Sequence, residues 1–302
     1  MGFVNIKNHL TVGVDIGGSH IAAAAVGQNK LIPQTYTLAK VDSGLEADVI
    51  IADWISAIRN VFVETTGDKC IAVAMPGPFD YENGISLITG MNKYESLYGL
   101  NIREIFASQL GIQPSNIHFF NDAKCFILGE AVAGAAVGFD KIIGITIGTG
   151  LGSARCVNQV AEDVNRGSSA FLDGIVEDYL STRWFTKRYQ ELTGNRVADV
   201  KTLCNLTEEE VVVDQIFNEF TQNLIDFLSV FISDELPEVV VIGGNIAQAA
   251  KRFLATVKSK LAGQFPEVQI KVTELWDHAA LIGACSAVNE INKLSDQLEI
   301  GN

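Results

Sequence analysis

The sequence predicts an α/β protein of two lobes, each a mixed β-sheet flanked by helices. Its 302 residues exceed the size at which one hydrophobic core keeps growing, so two domains are expected. Apolar runs at 11–16, 141–147 and 239–242 are typical of buried strands, and each is followed by glycines. Stretches with helical spacing, such as 47–63, lie between such runs. Both halves repeat the order of strand, glycine turn and helix, which indicates two α/β lobes.

The first half begins with a predicted β-hairpin. Residues 11–16 and 21–26 are short apolar runs joined by a turn at Gly17-Gly18, which is typical of a hairpin. The elements predicted to follow are a strand at 33–38, a helix at 47–63, a strand at 71–75, and a helix at 102–110 that ends at Gly111.

The second half restarts this pattern. Its predicted elements are a strand at 117–120, a helix at 123–136, strands at 141–147 and up to 157, a helix that begins with a capping box at 207–210 and reaches 233, and a strand at 239–242. We expect residues 1–116 to form a smaller N-terminal lobe and residues 117–284 a larger C-terminal lobe. The C-terminal helix, 285–302, is expected to pack back on the first lobe.

Charge and cysteine usage narrow the range of functions. The formal net charge of -14 argues against a nucleic-acid partner, because such binding needs clustered Lys and Arg. It fits a small, largely neutral substrate better. Five scattered cysteines without CxxC spacing are typical of reduced thiols in a cytoplasmic protein. No stretch resembles a signal peptide or a membrane-spanning helix, so a cytoplasmic protein without a membrane partner is expected.

Asp122 is the most informative single residue. It follows the strand at 117–120 and, with Asn121, opens the next predicted helix. A carboxylate there lies at the mouth of a sheet and on a helix N-terminus, where α/β folds commonly hold ligands. An Asn-Asp pair before a helix is usually only an N-cap. Whether Asp122 indicates a functional site therefore depends on the glycine turns found elsewhere in the chain.

Three glycine turns that follow strands are candidates for a phosphate cradle. They are Asp15-Ile16-Gly17-Gly18, Gly148-Thr149-Gly150 and Gly243-Gly244. Glycine lets several backbone N–H groups approach a phosphate without a Cβ clash. A carboxylate such as Asp15 can hold Mg²⁺ through water. Taken singly, each turn is more typical of an ordinary hairpin or helix start, and none matches a Walker loop or a Rossmann fingerprint.

The order of these motifs resembles a known family. The motifs are, in chain order, Asp15-x-Gly17-Gly18, Asn121-Asp122, Gly148-Thr149-Gly150-x-Gly152 and Gly243-Gly244. This arrangement resembles the sugar-kinase branch of the actin-like ATPase superfamily, and more narrowly the ROK family of repressors and kinases. Further matches are a Pro-Gly-Pro turn at 76–78, Asn92, and an ExxxS segment from Glu177 to Ser181. The resemblance runs from about 11 to 288 and implies the two-lobed actin-like (ribonuclease H-like) fold.

The resemblance also implies an activity and a role for each matched residue. The activity is that of an ATP- and Mg²⁺-dependent phosphotransferase acting on a hexose of the glucose or N-acetylhexosamine class. The implied nucleotide and metal contacts are Asp15, Gly17 and Gly18 at the γ-phosphate and Mg²⁺, Gly148, Thr149 and Gly150 at the β/γ-phosphates, and Gly243 and Gly244 at the adenosine. The implied sugar contacts are Asn92, Asn121, Asp122 and Glu177, with Asp122 also accepting the proton of the attacking hydroxyl. A homodimer is implied as well.

The chain departs from the family just before the ExxxS segment. ROK kinases typically carry a histidine and a cysteine cluster there that hold a structural zinc. Residues 153–176 contain Cys156 as their single cysteine and no histidine. One cysteine cannot complete a four-ligand site, so no structural zinc is expected. The glutamate of the family's ExGH motif has no clear counterpart either, and neither Glu162 nor Asp163 is assigned to its role.

Two alternatives to a kinase belong to other functional classes. One is a ROK-type sugar-responsive transcriptional regulator, which carries a helix-turn-helix ahead of the kinase-like body. Asp15 comes almost at the start of this sequence, and the negative charge disfavours DNA binding. The other is a sugar-binding relative without catalysis, which Asp122 and the complete set of glycine turns disfavour.

Overall fold

The computed structural model describes residues 10–63, 69–91 and 93–300, and the side chains of 292–300 lie outside that description. The chain divides into two compact units. Unit 1 contains Met1–Gly134 and Asp277–Asn302, and unit 2 contains Ala135–Trp276. Each unit is built on one mixed sheet with helices packed against it. Within the described ranges, no helix has both the length and the apolar character needed to cross a bilayer.

Unit 1 contains a six-stranded sheet. Its elements up to the start of unit 2 are β1 (Thr11–Ile16), β2 (His20–Gly27), β3 (Lys30–Leu31), β4 (Thr37–Lys40), α1 (Ala47–Val63), β5 (Cys70–Met75), β6 (Phe79–Asp80), β7 (Ile85–Ser86), α2 (Ile102–Leu110), β8 (Ile117–Asn121) and α3 (Asp122–Ala133). The sheet order is β3-β2-β1-β5-β8, with β4 also paired to β2. Because β1, β5 and β8 are parallel, their carboxyl ends meet at one edge of the sheet.

Unit 2 contains a five-stranded sheet in the order β11-β10-β9-β14-β15. Its elements are β9 (Lys141–Ile147), β10 (Leu151–Val157), β11 (Val160–Asp163), β12 (Ala170–Phe171), β13 (Gly174–Ile175), α4 (Val176–Tyr179), α5 (Thr182–Thr193), α6 (Val200–Cys204), α7 (Glu210–Glu235), β14 (Val239–Gly243), α8 (Leu254–Ala262) and β15 (Gln269–Val272). β14 runs parallel to both β9 and β15. The core of unit 2 contains an aromatic group of Phe185, Phe217 and Phe220 from α5 and α7, in which the ring centroids of Phe217 and Phe220 lie 5.1 and 4.8 Å from that of Phe185.

The final helix, α9 (Ala279–Ile300), returns to unit 1. It covers one face of the sheet, where Leu281 packs against Ala22 and Ala24 of β2. The alternate residues of β2 belong to the core on the opposite face, which contains the fully buried Trp54 of α1. The small alanine side chains on β2 give α9 room to lie close to the sheet.

The division of the chain differs from the predicted lobe boundary at 116–117. Residues 117–121 form β8, which pairs with β5 in the sheet of unit 1. The unit boundary therefore falls at 134–135, after α3. The terminal helix does belong with the N-terminal part of the chain, but it begins at Ala279 rather than at 285. The predicted boundary places β8 and α3 in the C-terminal lobe because the sequence does not show which earlier strand β8 pairs with.

Two local predictions also differ from the structure. In place of a strand beginning at 33, Pro33–Thr35 forms a 3₁₀ turn. The Thr35 hydroxyl donates to the carbonyl of Ile32 and accepts from the N–H of Ala25, which turns the chain before β4. The capping box expected at 207–210 is replaced by a 3₁₀ turn over Thr207–Glu209, and α7 begins at Glu210.

Candidate active site

The carboxyl edge of the unit 1 sheet carries two of the predicted site residues, Asp15 and Asp122. Asp15 is the penultimate residue of β1 and lies opposite Ala74 of β5. β8 ends at Asn121, and Asp122 then opens α3. Parallel pairing of the three strands therefore brings Asp15 and Asp122 to the same edge, although they lie far apart in the sequence.

Asn121 and Asp122 adopt the geometry of a capped helix start. The Asn121 side-chain oxygen accepts from the N–H of Lys124 at 2.9 Å, and its backbone is extended (φ -63, ψ 140). Its amide nitrogen lies 3.4 Å from the Tyr81 hydroxyl. One carboxylate oxygen of Asp122 accepts from the N–H of Ala123 at 2.8 Å. The carboxylate of Asp122 therefore lies at the N-terminus of α3, the positive end of the helix dipole.

Asp15 lies in a negative environment. Burial, together with the carboxylates of Asp122 and Asp277, raises the pKa of Asp15 from 3.8 to about 7. Asp277, just before α9, was not predicted to belong to the site. Carboxylates that oppose each other's ionisation suit a hydrated divalent cation, which favours the charged forms. Among the described residues, no group of three or more His, Cys, Asp or Glu is close enough to ligate one metal ion directly.

The Gly17-Gly18 turn is held by neighbouring side chains. The Tyr94 hydroxyl donates to the carbonyl of Gly17 at 2.5 Å, and the N–H of Gly17 donates to the carbonyl of His20 at 2.9 Å. The imidazole of His20 lies directly against Gly17. The aliphatic part of Lys93 lies near Gly18. Tyr94 was not predicted to take part, because nothing in the sequence links it to residues so much earlier in the chain.

The two glycine turns predicted in unit 2 also lie at one sheet edge. β9 ends at Ile147 and leads into Gly148, while Gly243 ends β14 opposite Thr146. Gly244 has φ 82 and ψ 174, a conformation accessible almost only to glycine. A Cβ on Gly244 would lie 2.5 to 2.8 Å from backbone atoms of Ile147. The structure thus brings Gly148–Gly150 and Gly243-Gly244 together within this unit.

Glu177 is the second residue of α4 and contacts the first of these turns. Its Oε2 accepts from the N–H of Leu151 at 2.9 Å, and its Oε1 accepts from Nη2 of Arg183 at 2.6 Å. Asn92, the remaining predicted sugar contact, lies outside the described residues. The roles predicted for Glu177 and Asn92 at the sugar stay predictions.

Paired carboxylates at one sheet edge, with glycine turns at strand ends in both units, are features of the actin-like ATPase fold that the sequence predicted. The chain belongs to the ROK family, whose model matches residues 11–170 and 172–291. Its relatives are sugar kinases at low identity. A glucokinase from Thermotoga maritima is 22% identical over 92% of this chain and 97% of its own. An N-acetylgalactosamine kinase from Shewanella sp. is 21% identical over 96% and 97%.

Solved structures agree on the fold, which confirms the predicted fold class. A ROK family glucokinase from Streptomyces griseus, in complex with glucose and AMPPNP, has a TM-score of 0.75 at 19% identity, covering 92% of this chain and 98% of its own. A ROK family transcriptional regulator, a homologue of the E. coli MLC protein, has a TM-score of 0.74 at 16% identity. It covers 93% of this chain, which spans 78% of the regulator.

Proposed function

We propose that this protein is an ATP-dependent sugar kinase, which transfers the γ-phosphoryl group of ATP to a hydroxyl of a hexose. The observation that carries the proposal is Asp122, a carboxylate at the carboxyl edge of the sheet and on the first turn of α3, with Asp15 beside it. Phosphoryl transfer needs positioning, charge neutralisation and one base, and asks for little covalent chemistry. The kinase relatives support a hexose of the glucose or N-acetylhexosamine class as the acceptor.

Asp122 is the general base in this proposal. Its position at the start of α3 favours the ionised carboxylate, which can accept the proton of the attacking sugar hydroxyl. Asn121 stands beside it, with its oxygen capping α3 and its amide nitrogen near the Tyr81 hydroxyl, and the second N–H of that amide would donate to a sugar hydroxyl. Both residues are fixed by the backbone of α3, so the base is held in place before substrate arrives.

Asp15 would hold Mg²⁺ through water. When bound, the ion would neutralise charge on the transferring phosphoryl group and on the carboxylates of Asp15, Asp122 and Asp277. Because the N–H of Gly17 already donates to His20, the turn fixed by Tyr94 would present the N–H of Gly18 to the same phosphate. In unit 2, Gly148, Thr149 and Gly150 would bind the β/γ-phosphates, and Gly243 and Gly244 would flank the adenosine. The analogue-bound glucokinase neighbour supports ATP as the nucleotide.

A panel assay tests the proposal. Purified protein is incubated with Mg-ATP and, separately, glucose, mannose, fructose and their N-acetylamino relatives, and ADP release is compared with a reaction lacking sugar. The proposal predicts that at least one sugar strongly accelerates ADP release and becomes phosphorylated. If sugars bind, as measured by calorimetry, and none accelerates ADP release, the protein is a sugar-binding relative or regulator and the proposal is wrong.

A further inference from the structure

The residues from Glu177 to Thr182 contact both ends of the glycine loop Gly148–Gly152 in unit 2. At the start of the loop, the N–H of Thr182 donates to the carbonyl of Gly148 at 2.7 Å. Towards its far end, the N–H of Leu151 donates to the carboxylate of Glu177. The loop also closes on itself, because the N–H of Gly148 donates to the carbonyl of Gly150 at 2.9 Å. The first turn of α4 and the start of α5 thus fix the loop at two points.

Glu177 also occupies the space beside Gly150. A Cβ on Gly150 would collide with the Oε2 of Glu177 and lie 3.1 Å from its Cδ. Gly150 does not have the left-handed backbone conformation that strains a side chain. An alanine there would require the Glu177 side chain to shift from its contacts with Leu151 and Arg183, so the loop and Glu177 are packed against each other.

Arg183 supplies the opposite charge. A carboxylate against a loop that binds phosphates would repel them, because like charges at short range destabilise each other. The Arg183 guanidinium pairs with Glu177 on the side away from Leu151, with 66% of the Arg183 side chain exposed against 28% for Glu177. The Glu177–Arg183 pair thus fixes the N–H of Leu151 while its two opposite charges add little net charge beside the loop.

We infer that Glu177 and Arg183 form a brace that holds the Gly148–Gly152 loop in the shape that binds nucleotide phosphates. Glu177 is then a positioning residue for the loop. This inference rests on the proposed function, since it assigns the loop to a nucleotide. Both Glu177 oxygens have partners within unit 2, one in the loop and one on Arg183, and the sugar contact that the ExxxS resemblance implies is the alternative role.

Kinetics of substituted proteins separate the two roles. Glu177→Ala leaves the Leu151 N–H without its charged partner, so KM for ATP is expected to rise about tenfold while KM for sugar stays within about twofold. Glu177→Gln retains an acceptor for Leu151 and is expected to show a smaller rise. Arg183→Leu leaves the carboxylate unneutralised, and its rise should be larger at low salt. Glu191→Gln, which removes an α5 carboxylate that pairs with Arg188 and Lys187, is the matched control with both KM values unchanged.

A double-mutant cycle tests the packing without requiring turnover. Gly150→Ala is expected to destabilise the protein in the presence of Glu177 and to cost much less in the Glu177→Ala background, because the colliding carboxylate is gone. Urea unfolding measures this coupling with no nucleotide present. It therefore tests the brace even if the panel assay finds no phosphorylated sugar.

Several results would overturn the inference. A rise in sugar KM with an unchanged ATP KM in Glu177→Gln would make Glu177 a sugar contact. Unchanged values for both substrates in Glu177→Ala, or additive costs in the cycle, would also reject the brace. Should Glu177→Ala fail to fold, Glu177→Gln and Arg183→Leu still decide between ATP and sugar. Direct calorimetric titration with a non-hydrolysable ATP analogue provides the same comparison for binding alone.

Discussion

At the scale of single residues, the proposed chemistry depends on the acidic group of Asp15, Asp122 and Asp277 in unit 1. Asp15 and Asp122 were predicted from the sequence because Asp15 lies at the end of an apolar run just before a glycine turn, and Asp122 follows another run at a helix start. Parallel strand pairing then places them together. Asp277 was not predicted, since its proximity to Asp15 depends on the return of the chain into unit 1 after unit 2. Local patterns reveal strand ends, but they do not reveal which late segment packs against them.

The raised pKa of Asp15 predicts that the free energy of unfolding depends on pH. Its pKa is raised in the folded protein, so between about pH 4 and 7 the unfolded chain loses this proton while the folded protein keeps it. This group therefore lowers the free energy of unfolding as pH rises through that window, and the loss is complete above about pH 7. Asp15→Asn removes the effect and should stabilise the chelator-treated protein at pH 8, by at most about 4 kcal/mol.

Urea unfolding at several pH values between 5 and 8 measures this difference. The exposed Asp53 of α1 provides the control, because Asp53→Asn is expected to change the free energy of unfolding only slightly at every pH from 5 to 8. A constant difference between wild type and Asp15→Asn from pH 5 to 8 would contradict the assignment of a raised pKa to Asp15.

At the scale of elements, the glycine turns connect sequence to site. Gly244 follows β14 with a backbone conformation that side chains avoid, and the Ile147 backbone fills the space beside it. Gly244→Ala is expected to cost about 3 kcal/mol or more in stability. Gly194, at the end of α5, also has a positive φ of 76, but a Cβ added there would have no atom within 4 Å. Gly194→Ala should therefore cost only about 1–2 kcal/mol.

Chemical denaturation of the two variants provides the comparison. Nucleotide binding should be lost or weakened in Gly244→Ala and retained in Gly194→Ala, because only the first lies in a predicted nucleotide turn. Equal costs for the two substitutions would show that close packing against Ile147 does not constrain Gly244.

The elements that the sequence predicted well are those with a strong local signal. The hairpin of β1 and β2, the amphipathic α1 and the buried β14 have regular apolar spacing and glycine boundaries. The segment at 33–35 was mispredicted because its turn depends on a Thr35 hydroxyl that reaches another strand. Around Glu177 the chain forms a short hairpin of β12 and β13 followed by the four residues of α4. Short elements of this kind depend on contacts with the loop and not on periodicity.

At the scale of the whole molecule, the family model and the solved structures establish the family and the fold. The proposed kinase activity is argued from the residues of the site. ROK proteins include both glucokinases and transcriptional regulators among the structures that share this fold, so the fold does not decide between them. The identity to the kinases is low, between 21% and 26% for the relatives compared. The distinction therefore depends on whether Asp122 acts as a base.

The turnover of Asp122→Asn tests this claim most directly. The substitution keeps the side-chain shape and removes the proton acceptor, so kcat on the best sugar of the panel is predicted to fall about 10²–10⁴-fold. The dissociation constant of the ATP analogue should be nearly unchanged, and Asp53→Asn should turn over like wild type. Near-normal kcat in a folded Asp122→Asn protein would contradict the account.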